Sequence, residues 1–162
     1  MSQSTDIPSN IGKIVLNLQS LEFSLRLILD KLQNPDGGTK IDLMDLTVGE
    51  WISENYFTNY DTLNQLIKKV NSELGSHGLS ERVDDSIVEL RDAIAHGRVL
   101  AVNPEGPYRI VKFSPSKDSK VQVVVSLDIT KDWLSHQISR TTNEVQKVIK
   151  ISQILGLDCF PK

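Results

Sequence analysis

An arginine, an acid and a histidine lie close together in one short segment, ELRDAIAHGR, which spans residues 89–98. Arg91 carries a permanent, forked cation suited to phosphate oxygens, and His96 can exchange a proton near neutral pH. Together they suit phosphodiester cleavage, in which histidine moves a proton and arginine stabilises the charge of the crowded phosphorane. Because the neighbouring 2′-hydroxyl would be the nucleophile, neither a metal nor another cofactor is expected, and the product would end in a 2′,3′-cyclic phosphate.

The spacing of these residues sets a geometric condition. On a regular helix, at about 100° per residue, Arg91 and His96 point about 140° apart, whereas Asp92 and His96 lie on one face. Convergence of Arg91 and His96 therefore needs a distortion near Gly97, the reach of the long arginine side chain, or a second copy of the helix across a two-fold axis. Asp92 is predicted to orient His96 or to hydrogen-bond it in its protonated state.

The same segment also allows a purely structural interpretation. A histidine in the last turn of a helix interacts favourably with the helix's negative end, and the arginine and acid beside it could simply be solvated. The two other histidines, His77 and His136, are expected in a loop and on a polar surface, with no metal-ligand spacing. Glu22 is a lesser site candidate, and it is more readily explained as a rim carboxylate in solvent or paired with a lysine.

Composition places the chain among globular proteins and excludes several classes. Its 162 residues match one ordinary domain with its own core. The lone Cys159 excludes an intramolecular disulfide and a thiolate metal site, which favours a reducing, cytoplasmic location. The polar start MSQSTDIPSN does not fit a signal peptide, and no apolar stretch approaches the length of a membrane span, so no membrane partner is expected.

The net charge of −3 is unevenly distributed along the chain. Residues 1–90 hold 7 Lys and Arg against 14 Asp and Glu, a net charge of −7, while residues 91–162 hold 11 against 7, a net charge of +4. The overall charge argues against a protein that coats nucleic acid through a strong sequence-independent field. A modest anion-binding surface in the second half is compatible with these numbers, and so are evenly solvated charges.

Helical periodicity dominates the elements that must position the ELRDAIAHGR segment. Apolar residues at 11, 14, 18, 21, 25, 28 and 32 form one stripe along a long first helix. This helix is predicted to be central to a bundle or to face a second subunit, because further apolar residues widen the stripe: Leu16, Phe23, Leu27 and Leu29. The segment QNPDGG, residues 33–38, is expected to end the helix.

Capping patterns predict where the middle helices begin and end. Thr47 and Glu50 have the spacing of a capping box, which predicts a short helix from Thr47. Another helix is expected over residues 61–74. Ser80 is the expected cap of the helix that carries the ELRDAIAHGR segment, and Gly97 is the expected left-handed residue that stops it.

A change of period interrupts the helices. The β-branched runs YRIVKF and VQVVVSL, separated by SPSKDSK, predict a β-hairpin over about residues 107–127. Thr130 is then expected to cap a final long helix that ends at Gly156. The predicted fold class is therefore all-α: an antiparallel helical bundle with a β-hairpin inserted before the last helix, in a single domain over residues 10–158.

The ELRDAIAHGR segment also resembles a family motif. Arg91 and His96 match the Arg-x4-6-His signature of the HEPN superfamily, in which a polar residue, here Asp92, commonly follows the arginine. The long first helix containing LE, the segment LTVGEWI and the late helix ending RDAIAHG are similar in order to a prokaryotic HEPN protein, over about residues 10–156.

This resemblance implies a dimeric helical bundle in which two motifs meet in one cleft, and a metal-independent endoribonuclease that serves as a toxin or in phage defence. RNA is then the substrate, Arg91, His96 and Asp92 are catalytic, and an antitoxin protein is a candidate partner. Arg98 is expected to bind substrate. It occupies the position at which relatives that are silenced by a nucleotidyltransferase antitoxin carry the modified tyrosine. The alternatives are a catalytically silent module that binds a protein or nucleotide, and a structural subunit in which His96 is a helix cap.

Overall fold

The computed structural model describes residues 6–34, 45–101, 103 and 106–157. These residues form seven elements in chain order: α1 (Ile7–Gln33), α2 (Leu63–Ser76), α3 (Ile87–His96), β1 (Arg98–Ala101), β2 (Tyr108–Phe113), β3 (Val123–Ile129) and α4 (Lys131–Ile154). The strands form one antiparallel sheet in the order β1-β2-β3. The predicted all-α fold class is therefore wrong, because the described chain combines helices with a three-stranded sheet.

The strand that the sequence did not predict is β1. It pairs with β2 from Arg98↔Val111 to Ala101↔Tyr108. All four of its residues are exposed, so no alternation of buried and exposed side chains distinguishes it from a loop. The runs YRIVKF and VQVVVSL do contain paired strands, since β2 and β3 pair antiparallel with an irregularity at the Lys112/Phe113 step. Pairing with β1 extends that hairpin into a sheet.

Two compact units divide the chain. One comprises Met1–Leu18 and Ser86–Asn143, and it contains α3, the whole sheet and the segment ELRDAIAHGR. The other comprises Gln19–Asp85 and Glu144–Lys162, and it contains α2. The single domain over residues 10–158 stays a prediction, and residue 158, residues 35–38 of QNPDGG and Cys159 lie outside the described residues.

The first unit has a core built from both helices and strands. Its buried apolar side chains are Ile14, Leu18, Ile87, Leu90, Ala93, Ile110, Val111, Ile129 and Leu134. Asn17 of α1 donates from Nδ2 to the hydroxyl oxygens of Thr141 and Thr142 of α4, each at 3.0 Å. Thr130 accepts at Oγ1 from the backbone N of Trp133 at 3.1 Å, which confirms the predicted cap of α4.

The second unit buries the rest of the apolar stripe of α1. Its buried apolar side chains are Leu21, Leu25, Ile28, Leu29, Leu63, Leu66, Ile67, Val70, Leu74, Val83, Val148 and Ile151. With Ile14 and Leu18, five of the seven stripe positions are thus fully buried, which confirms the predicted periodicity. Leu16 and Phe23, which were expected to widen the apolar face, are 63% and 43% exposed.

A capping box starts α2, but at a different threonine from the one predicted. Thr62 accepts at Oγ1 from Gln65 N, and Gln65 Oε1 accepts from Thr62 N at 2.7 Å. The expected helix at Thr47 is absent from the described chain, although Thr47 N does donate to Glu50 Oε2 at 3.2 Å. Gly49 has a φ of +93°, which a helix cannot accommodate, so the chain makes a turn there.

The segment before α2 is held by a buried guanidinium. Arg26 of α1 is 8% exposed and donates to five oxygens: Tyr56 O, Asn59 O, Asn59 Oδ1, Asp61 O and Glu22 Oε1. Three of these acceptors are backbone carbonyls of residues 56–61, so the arginine takes the place of secondary structure in ordering this stretch. Glu22, the lesser site candidate, is therefore paired within α1, and its partner is an arginine rather than a lysine.

Candidate active site

The predicted site lies where α3 passes directly into β1. Gly97 joins the two elements, and its φ of −74° and ψ of 159° are extended rather than left-handed as predicted. Glycine is required here for space, since a Cβ would lie 2.2 Å from Ala93 O and 2.6 Å from Ile110 Cγ2. The predicted cap Ser80 is also wrong, because α3 begins at Ile87. His96 is consequently the last helical residue, one step from the sheet.

Arg91 and His96 converge within a single chain. Arg91 Nη1 lies 3.4 Å from His96 Nε2, although the two residues point about 140° apart on an ideal helix. Of the three routes to convergence, the described chain realises the reach of the long arginine side chain. Arginine can only donate, so Arg91 hydrogen-bonds Nε2 in the tautomer of His96 that carries its ring proton on Nδ1. A second chain is not needed to bring the two groups together.

Asp92 lies beside Arg91 rather than His96. Its Oδ1 is 3.4 Å from Arg91 Nη1, and its Oδ2 is 3.5 Å from Nζ of Lys112 on β2. Among the described residues no hydrogen bond joins Asp92 to His96, so the expected contact between them is not formed. Asp92 instead links two cations, which keeps both side chains near the histidine end of α3.

Lys112 is the functional candidate that the sequence did not reveal. It lies on the same face of β2 as Ile110, the face against Gly97, and its side chain is 25% exposed. We call Arg91, Asp92, His96 and Lys112 the α3 cluster. With a neutral histidine the cluster carries a formal charge of +1, and its two cations, Arg91 and Lys112, have side chains that are 41% and 25% exposed, so it is suited to an anion.

Arg98, the predicted substrate-binding residue, is placed away from the α3 cluster. In the sheet it lies opposite Val111, so its side chain is on the face that carries Phe113 and not on the face of Lys112. Its guanidinium carbon is 5.0 Å from the centroid of the Phe113 ring, a cation–π contact on that face of the sheet. Arg98 could therefore contact a long substrate only outside the cluster.

The same face of the sheet carries an exposed ion pair with shifted pKa values. Arg109 Nε donates to Asp128 Oδ1 at 2.7 Å, across the register pair that joins β2 to β3. This hydrogen bond lowers the pKa of Asp128 and raises that of Arg109. Because this arginine is neutralised by its partner, it is a weaker anion contact than Arg98.

The remaining histidines make their hydrogen bonds outside the α3 cluster. His77 Nδ1 is 2.9 Å from Glu73 O at the end of α2, as expected for a surface residue. His136 lies on α4 beside Gln137, with 3.0 Å between Nδ1 and Gln137 Nε2. Within the described ranges no group of three His, Cys, Asp or Glu side chains is placed to hold a metal ion, and no helix is long and apolar enough to cross a membrane.

The geometry of the α3 cluster is the main guide to function. No family model, curated protein or solved structure matches this chain. Membership of the HEPN superfamily therefore stays a prediction from the motif.

Proposed function

We propose that the chain is a metal-independent endoribonuclease of HEPN type, serving as a toxin or in phage defence, with the α3 cluster as its catalytic centre. The observation that supports this proposal best is the 3.4 Å approach of Arg91 Nη1 to His96 Nε2 on an exposed surface. A phosphate-binding cation thereby lies next to a proton-exchanging base. One phosphodiester and its 2′-hydroxyl can then contact both groups at once.

The reaction follows from the roles available to these groups. Arg91 turns from His96 to the phosphate, His96 Nε2 accepts the proton of the 2′-hydroxyl, the 2′-oxygen attacks phosphorus, and the bond from phosphorus to the 5′-oxygen breaks. Arg91 and Lys112 stabilise the negative charge that builds up on the phosphorane oxygens. Asp92 positions both cations, so in this mechanism it acts on Arg91 rather than on His96. The products are a 2′,3′-cyclic phosphate and a 5′-hydroxyl.

A second protein copy would complete the chemistry. The departing 5′-oxygen needs a proton, and within one chain the described cluster contains a single histidine. We infer a homodimer in which His96 of the second copy supplies this proton, so the reason for a dimer is proton transfer rather than the convergence of Arg91 with His96. Exposed Leu16 provides apolar surface for such an association.

The decisive experiment measures cleavage of an end-labelled RNA by the purified protein with and without EDTA. We expect cleavage in both conditions, products ending in 2′,3′-cyclic phosphate, and no cleavage where the 2′-hydroxyl is replaced by hydrogen. His96→Ala should lose most activity. Arg91→Lys should lose roughly 10²–10³ in rate, because an ammonium cannot reproduce the planar two-pronged contact of a guanidinium with phosphate.

Arg109→Ala is the matched control for loss of an exposed arginine, since Arg109 lies in the same unit and is paired with Asp128. It should cleave RNA at a rate close to that of the wild type. A requirement for magnesium, or products ending in a 3′-hydroxyl, would show that the proposed chemistry is wrong. If the wild type leaves every RNA intact, the alternative of a catalytically silent binding module is favoured.

Growth of a bacterial host tests the biological role separately. Induction of the wild type should arrest growth if the protein is a toxin, and His96→Ala should relieve the arrest. Equal growth with both proteins would count against a toxin, whereas equal arrest with both would count against His96 as its catalytic base.

A further inference from the structure

A cleft on the opposite side of α3 from Arg91 has the features of a binding site. It encloses about 440 Å³ within the first unit, between α3, β3 and α4. Its apolar lining comes from Leu90, Ala93, Val125, Leu127 and the half-buried Trp133. Its polar lining comes from Ser86, Glu89, His136, Gln137 and Arg140. A volume of this size with mostly apolar walls and a few polar groups is typical of small-molecule sites.

One polar atom in this wall is left without a hydrogen bond. Gln137 is 8% exposed, and no partner for its Oε1 is found in the described part of the chain. Its Nε2 lies 3.0 Å from His136 Nδ1 and donates to it in the tautomer whose ring proton is on the other nitrogen, so the oxygen is the end of the amide that needs a partner. A buried amide that is half satisfied destabilises a fold, and a ligand with a matching donor removes that cost.

The charges in the cleft indicate a neutral ligand. Glu89 and Arg140 contribute opposite formal charges to the lining, and Arg140 Nη2 already donates to the hydroxyl of Ser86. Trp133, Gln137 and Arg140 are spaced as i, i+4 and i+7, so an indole and an amide line one face of α4. A flat ring could stack on the indole while an N–H group at its edge reaches the amide oxygen.

We propose that this cleft, the Gln137 cleft, binds a nucleobase that carries an exocyclic amino group, of which adenine is the type. The base stacks on Trp133, and rotation of the Gln137 amide brings its buried Oε1 to the amino group of the base. A base of an RNA strand and a free nucleoside present the same chemistry here. The proposal does not depend on catalysis by the α3 cluster, because binding in the cleft uses neither Arg91 nor His96.

Tryptophan fluorescence of the full chain can test the proposal without any cleavage. Trp51 is 98% exposed, so Trp51→Phe leaves Trp133 as the single tryptophan reporter at little structural cost. Adenosine is titrated against purine riboside, which has the same ring system without the amino group. We expect adenosine to quench Trp133 at concentrations of roughly 1 mM or below and to bind about tenfold more tightly than purine riboside, the ratio expected for one buried hydrogen bond.

Gln137→Met in the same background removes the amide while keeping the length of the side chain. This variant should lose the preference for adenosine and melt no earlier than its parent, because the unpaired acceptor is gone. Gln153→Met makes the same substitution at an exposed position of α4 outside the cleft, and it should keep the preference. The melting temperature thus separates loss of binding from loss of fold.

A hexa-adenylate strand, titrated in the His96→Ala background to prevent cleavage, distinguishes the source of the base. Tighter binding of the strand than of adenosine assigns the cleft to RNA, and equal binding assigns it to a free nucleoside; both outcomes support a nucleobase site. The proposal is overturned if adenosine does not quench Trp133, if purine riboside binds equally well, or if Gln137→Met retains the preference.

Discussion

Replacing Gly97 by alanine tests the junction between α3 and β1. The φ of −74° at Gly97 is one that any residue adopts, so the substitution carries no backbone strain of its own. The methyl group would instead overlap Ala93 O, at 2.2 Å, and Ile110 Cγ2, at 2.6 Å. One of these atoms belongs to the backbone of α3, so the helix end or the sheet has to move.

The expected cost can be assembled from three contributions. Overpacking of this kind costs about 1–3 kcal/mol. Displacement also weakens the bond from Gly97 N to Ala93 O, now 2.8 Å long, which is worth about 0.5–1.5 kcal/mol. Restriction of the unfolded chain returns about 0.4–1 kcal/mol. We therefore expect a net loss of about 2 kcal/mol in the free energy of unfolding, which lowers Tm by about 4–8 °C in a chain of this length.

Gly12→Ala is the matched control for this experiment. Gly12 lies inside α1, and nothing lies within 4 Å of the Cβ that the substitution would add. Alanine should raise stability there by about 0.5–1 kcal/mol, because glycine is a poor helix former. Thermal and urea unfolding followed by circular dichroism should thus give opposite signs for the same chemical change at the two glycines.

The outcome also bears on the α3 cluster, because His96 precedes Gly97. A Gly97→Ala protein that is folded at the assay temperature should cleave RNA more slowly than wild type, since its base has shifted. If Gly97→Ala is as stable as wild type or gains stability as Gly12→Ala does, the close approach of α3 to β2 is refuted, and with it the placement of His96.

Three further substitutions probe other parts of the fold. Thr62→Ala should cost about 1 kcal/mol of unfolding free energy by removing the capping box of α2, whereas Thr47→Ala, in an exposed turn, should cost less than about 0.5 kcal/mol in the same urea titration. Asp128→Asn should flatten the acid limb of a plot of Tm against pH. In the wild type the hydrogen bond from Arg109 holds the pKa of Asp128 below 3.8. The stability that this bond contributes is therefore present above pH 3.8 and is lost as the pH falls through the lowered pKa of the folded state. Arg26→Ala should cost about 3–5 kcal/mol by stranding buried carbonyl oxygens, and a protein that tolerates it with little change in Tm would contradict the role assigned to that network.

Much of the helical part of the fold could be predicted because its signals are local. The stripe of α1 depends only on spacing, and the predicted span of 11–32 falls within the observed Ile7–Gln33. The cap at Thr130 likewise depends on residues three apart. The two threonines with capping-box spacing show the limit of such reasoning, because the positive φ of Gly49 decides that Thr47 begins a turn.

Strand β1 and the placement of Lys112 depended on contacts that no local pattern encodes. An exposed four-residue strand such as β1 exists because β2 lies beside it, and the register with β2 is what places Arg98 and Lys112 on opposite faces. The divergence of Arg91 and His96 on an ideal helix left three routes to their meeting, because residue angles describe where a side chain leaves the backbone and not how far a long one reaches.

The α3 cluster is confined to residues 91–112, and this has a consequence for how the protein folds. Closing a short stretch of chain costs little entropy, whereas the contact of Asn17 with Thr141 must close a separation of 124 residues. Helix α3 and the strands β1 and β2, which assemble the cluster, thus form early, before the two long helices pack against each other. Substitutions that loosen α1 against α4 should accordingly speed unfolding of the whole chain while leaving the spacing of Arg91 and His96 intact in every molecule that remains folded.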